Sequence, residues 1–99
     1  MRIISRRTLI EFWRDPAHRD AERPLRTWWD QARKANWQNP QAIKSDFGSA
    51  SFLAGNRVVF NIGGNKYRLI VKFNYPYGIG YVRFVGTHRE YDRIDAETI

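Results

Sequence analysis

The chain reads as a single α+β domain, with aromatic-striped helices in its N-terminal part and an antiparallel strand meander after them. Three observations predict this class. Apolar residues before Trp37 recur at helical spacing, whereas from Arg57 onward they alternate with period two. Gly63-Gly64-Asn65 and Pro76-Tyr77-Gly78 punctuate the alternating part where hairpins would turn. Finally, 99 residues suffice for one core and leave little for a second, so residues 1–99 form one domain. The expected layout is a small antiparallel sheet of about four strands. Two N-terminal helices pack on one of its faces and a short helical tail follows.

Arg2-Ile3-Ile4 is short and β-branched and reads as a first strand. Ser5 can cap a helix in which Leu9, Phe12 and Trp13 make one apolar stripe, and Asp15-Pro16 ends it. His18 then falls in a polar linker and is expected to be a solvated loop residue. A second helix starts near Pro24 and repeats Leu25, Trp28, Trp29, Ala32 and Ala35 or Asn36, closing at Trp37 and Asn39-Pro40. The Trp28-Trp29 pair invites a base-stacking reading, but helical spacing assigns it to core packing. Between Gln38 and Gly55 the chain is polar and turn-rich, anchored by Phe47, Phe52 and Leu53.

Arg57–Ile62 is then a strand, and Gly63-Gly64-Asn65 a tight turn suited to positive φ. Residues 66–75 return, and residues 79–86 complete the meander. Along the returning strand Tyr67, Leu69, Val71, Phe73 and Tyr75 share one face, which belongs under the helices. Lys66, Arg68, Ile70, Lys72 and Asn74 share the other. On the last strand Tyr81, Arg83 and Val85 alternate with Gly80, Val82 and Phe84, so Arg83 joins the basic face.

Charge narrows the function classes. The formal charge is +7 and the isoelectric point near 10.3, which suit a polyanionic partner. No Asp or Glu occurs between Phe47 and Arg89, while Arg57, Lys66, Arg68, Lys72, Arg83 and Arg89 are basic. An ordinary solvated sheet face mixes its signs. There is no Cys, hence no disulfide framework and no thiolate chemistry. No secretory h-region or membrane-length apolar run is visible, so the expected location is the cytoplasm, with no membrane partner. Two histidines without cysteine argue against a zinc site, and no metal or cofactor is expected. The glycine turn lacks the spacing of a nucleotide-binding loop.

The segment Thr87-His88-Arg89-Glu90-Tyr91-Asp92 leaves this basic sheet with a His and a Tyr three residues apart. Metal-independent RNA cleavage needs a base for the 2′-hydroxyl, cations for the developing phosphorane charge and a proton for the leaving 5′-oxygen. Arg68 and Arg83 suit the charge, because guanidinium stays ionised and matches phosphate oxygens in a fork. His88 can serve as acid or base near neutrality, and Tyr91 can transfer a proton or stack on a base. Arg68, Arg83, His88 and Tyr91 are thus the candidate catalytic cluster. Lys66, Lys72, Arg57 and Arg89 are the candidate RNA contacts.

The strings Val59-Phe60-Asn61-Ile62-Gly63-Gly64-Asn65, Tyr67-Arg68-Leu69, Tyr81-Val82-Arg83 and Thr87–Asp92, in that order, resemble the HigB-type toxins of bacterial type II toxin–antitoxin modules, within the RelE-like superfamily. The resemblance implies a RelE-like fold and an mRNA endonuclease acting on translating ribosomes. It also implies a partner, a helix-turn-helix antitoxin of the HigA type. It places cleavage on a central-strand arginine and on basic or aromatic residues near the tail, which here correspond to Arg68, to Arg83 or His88, and to Tyr91. The alternative from another class is a non-catalytic basic module that binds RNA or the ribosome, a degenerate toxin retained for its antitoxin.

Overall fold

The computed structural model describes residues Met1–Ile99. Its chain runs β1 (Arg2–Ile4), α1 (Arg6–Arg14), a 3₁₀ turn (Pro16–Ala21), α2 (Glu22–Lys34), α3 (Pro40–Asp46), β2 (Ser51–Leu53), β3 (Arg57–Ile62), β4 (Tyr67–Asn74), β5 (Ile79–Thr87) and α4 (His88–Tyr91). The sheet has five strands in the order β1-β5-β4-β3-β2. The β3-β4-β5 meander is antiparallel as expected, and β2 extends it antiparallel at one edge. At the other edge β1 pairs with β5 in parallel, which makes the sheet mixed.

The core lies between the helices and one sheet face. Leu9, Trp13, Leu25, Trp28 and Ala32 from the helices meet Phe60, Leu69, Val71 and Phe73 from the strands. Phe60 is central: its ring meets Trp28 and Phe47 edge-on, each at 5.2 Å between centroids, and Phe73 at 6.3 Å. Trp28 is therefore a core residue, and Trp29 is half-buried between the guanidiniums of Arg6 and Arg33, at 4.2 and 5.0 Å.

Several local expectations are corrected. Ser5 stands at the start of α1, but its φ of 73° is left-handed and its side chain makes no cap. Hydroxyl caps need an extended backbone at that position. Asn39-Pro40, expected to close a helix, instead opens α3: Asn39 Oδ1 accepts from the Ala42 amide at 2.9 Å, and proline occupies the first turn. Phe52 is no anchor and is 38% exposed, because it sits on an edge strand. His18 is not a solvated loop residue; it stacks on Phe12 with centroids 4.1 Å apart and lies edge-on to Tyr67. The glycine turn follows expectation at Gly63 and Gly64, with φ of 63° and 68°.

Candidate active site

The face away from the helices carries Arg68, Ile70 and Lys72 on β4, in register with Asn61, Val59 and Arg57 on β3. On β5 the simple alternation fails. Ile70 pairs with Phe84 but Val71 pairs with Val82, so a β-bulge leaves Arg83 unpaired. Beyond it the strand's parity reverses. Phe84 and Gly86 fall on the basic face and Val85 turns to the core, contrary to the expected pattern. Arg83 keeps its predicted side, reaching toward Arg57 over the same sheet surface.

Arg68 is the buried cation of the site, only 9% exposed. Its Nη1 donates to the carbonyl oxygens of Asn65 at 3.2 Å and Tyr67 at 3.3 Å, and its Nη2 to Asn65 Oδ1 at 3.2 Å. No carboxylate pairs with it, so its charge remains available to a ligand. Opposite Arg68 stands Gly86, where a Cβ would lie 2.6 Å from the Phe84 ring. The glycine lets that ring lie flat along the strand.

The tail is positioned by a capping box. Thr87 Oγ1 accepts from the Glu90 amide at 3.1 Å, and Glu90 Oε1 accepts from the Thr87 amide at 2.8 Å. The His88 amide also donates to the Lys66 carbonyl at 3.3 Å, tying α4 to the β3–β4 turn. So held, α4 brings the Tyr91 ring to 5.9 Å from the Arg68 guanidinium carbon. His88 Nδ1 faces Asp92 Oδ2 at 3.2 Å, one helical turn away. Arg89 lies exposed on the same short helix.

The predicted residues do not form one cluster. Arg68, Tyr91 and the α4 histidine gather at the tail end of the sheet. Arg83 stands three positions before Gly86, the partner of Arg68, and hence about 10 Å along the strand. It joins Arg57 and, with Lys72, Asn74, Tyr75 and Tyr81, lines an open groove of about 540 Å³. Tyr75 turns its hydroxyl inward, where it is buried without a partner, and burial raises its pKa.

Lys66, expected beside Arg68, turns to the helical side. There it pairs with Asp20, which also accepts from the Tyr67 hydroxyl. These two bonds hold the Asp20 carboxyl below its ordinary range, and the bond to Asp20 raises Lys66. The residues that sequence reasoning missed are Asn65, Asp92 and the Thr87/Glu90 pair. The last two were visible as an i, i+4 His–Asp spacing and a T-x-x-E string.

No set of three or more His, Cys, Asp or Glu side chains is arranged to hold a metal ion, and no helix is long and apolar enough to cross a membrane. None of the curated proteins searched matches the chain. A family model described as HigB_toxin, the RelE-like toxic component of a toxin-antitoxin system, matches residues 21–94, a span that contains every candidate site residue.

Proposed function

Because the chain belongs to the HigB toxin family, the RelE-like toxic component of a toxin–antitoxin system, we propose that it is a metal-independent endoribonuclease that cuts messenger RNA on the ribosome. The observation that carries this reading is the Arg68–Tyr91 approach: a buried, unpaired guanidinium held by Asn65 beneath an aromatic side chain.

In this reading Arg68 stabilises the charge that develops on the scissile phosphate. His88 Nδ1 faces the Asp92 carboxylate, which orients the ring, and Nε2 is the nitrogen we assign to accept the proton. His88 removes the proton of the 2′-hydroxyl, and the 2′-oxygen attacks phosphorus. The bond to the 5′-oxygen breaks, giving a 2′,3′-cyclic phosphate and a 5′-hydroxyl. Tyr91 orients the nucleotide by stacking, and its hydroxyl donates the proton that the leaving 5′-oxygen takes up; the proton held by His88 then returns to Tyr91 through water. Arg83, set apart along β5, holds the flanking backbone with Arg57 and Lys72, and Arg89 adds a contact from α4. Lys66 is left out, since Asp20 engages it.

The helical layer supports a ribosomal setting. Arg6, Arg14, Arg19 and Arg23 are exposed there without a carboxylate partner, so both sides of the molecule attract RNA phosphates. Family membership makes an antitoxin the partner, and we assign it the helix-turn-helix HigA type and a shared cytoplasmic location.

The test is induction of the wild type, Arg68→Ala and His88→Ala in cells lacking the antitoxin, with primer extension on a translated message. Growth arrest and new 5′ ends are expected from the wild type alone. Equal cleavage by all three overturns the site. Ribosome binding without new 5′ ends in the wild type replaces the enzyme with a non-catalytic binding module.

A further inference from the structure

The second basic group of the sheet face is engaged by the chain's own C-terminal segment. Arg57 Nε donates to the Ile99 oxygen at 2.9 Å, and Arg83 Nε donates to the same atom at 3.3 Å. Neither arginine pairs with a side-chain carboxylate. The segment is built to deliver that oxygen. The Asp95 carbonyl accepts from the amides of Thr98 and Ile99, both at 3.2 Å, and the Asp95 carboxylate accepts from the Glu97 amide at 3.0 Å.

Beneath this arrangement Val59 and Ile70 face each other across β3 and β4. They are 4% and 0% exposed although they lie on the sheet face opposite the helices and outside the main core cluster. Ile94 and Ile99 in the returning segment are half-buried. The segment therefore returns to this face and places one oxygen between two guanidiniums.

Two guanidinium N–H groups converging on a single oxygen is the arrangement that a phosphodiester oxygen recruits. We propose that Arg57 and Arg83 form a phosphate-binding fork, that residues Asp95–Ile99 occupy it in the free protein, and that RNA and the segment exclude each other there. The proposal rests on RNA being the substrate, and it gives the fork the phosphate of a nucleotide flanking the scissile one. A protein whose competent state is only partly populated binds its ligand more weakly by that fraction. Docking of the segment thus sets a threshold for RNA engagement at the fork.

The test follows the Nε–Hε resonances of Arg57 and Arg83 in ¹⁵N-labelled protein during titration with inorganic phosphate. It compares the full chain, a chain lacking Ala96–Ile99, and Asp95→Ala, which loosens the turn while keeping every residue after it. Both variants should bind phosphate more tightly, by about fivefold or more. Arg57→Gln in the shortened chain should cancel the gain. Equal or weaker phosphate binding in Asp95→Ala, with the fold intact by thermal melting, overturns the proposal. A parallel titration uses a single-stranded RNA blocked at its 2′-hydroxyls. If phosphate tightens as expected and the RNA binds no variant, the fork stands and the endoribonuclease reading falls.

Discussion

The Arg68 guanidinium carbon lies 5.9 Å from the centre of the Tyr91 ring, joining the middle strand of the sheet to the helix that leaves its last one. The pair is shaped from below by Asn65, which accepts two of the three guanidinium bonds. Arg68→Ala should therefore lower the cleavage rate by about 10²–10³-fold, the scale of losing a preorganised oxyanion donor. Arg68→Lys should recover only part, since an ammonium keeps the charge and loses the planar fork. Single-turnover cleavage of a translated message measures both. A full rate in Arg68→Lys would reduce the residue to a point charge.

Thr87→Ala tests whether α4 must be ordered for chemistry. The capping box is the main local support of a four-residue helix, and losing such a cap costs about 1 kcal/mol. The expected outcome is faster hydrogen exchange at the Glu90 amide and weaker cleavage. The main melting transition should move little, because no α4 residue is buried.

The Asp20 cluster predicts a two-sided pH response. The Asp20 carboxyl sits below its ordinary value of 3.8, chiefly through the Lys66 bond and then the Tyr67 bond. Its contribution is present above that value and disappears as pH falls through the depressed folded value. Lys66 is raised from 10.5, mainly by the bond to Asp20, and Tyr67 is raised from 10.0 by burial and then by Asp20. Those contributions are full below the ordinary values and vanish as pH rises through the folded ones. Asp20→Asn should melt below the wild type at neutral pH, and the gap should close in acid. Parallel melting curves across the acid range would count against the cluster.

Phe60→Ala probes the shared core. The ring is 1% exposed and meets Trp28, Phe47 and Phe73. Its truncation should cost about 3–5 kcal/mol in urea unfolding. A loss below about 1 kcal/mol would mean that the helices and sheet do not depend on this contact.

Much of this architecture was legible in the residues. Both long helices, the first strand and the β3-β4-β5 meander followed from periodicity and turn chemistry, because core burial enforces them locally. Long-range placement was not legible. The short α3 hides its apolar stripe in seven residues, and its Asn-Pro start reads equally well as a stop. Parallel pairing of β1 depends on the whole chain returning to the sheet. At the site, Arg68 lay on the predicted face, since β4 alternates without interruption. Lys66 left it because the turn releases a side chain from strand parity, and an acid from the 3₁₀ turn captured it. The separation of Arg83 from Arg68 required the actual register.

The bulge at Arg83 lets β5 obey two parities at once. Before it, Gly80 and Val82 answer to the helices; after it, Val85 does, while Phe84 and Gly86 answer to the basic face. A residue gained or lost elsewhere in a strand inverts every side chain beyond it. Here such an inversion is already part of the fold, and it stands between the half of β5 that braces the core and the half that launches α4. The strand thus works as a joint: its bracing half grips the helices, and its launching half sets the direction in which α4 leaves the sheet.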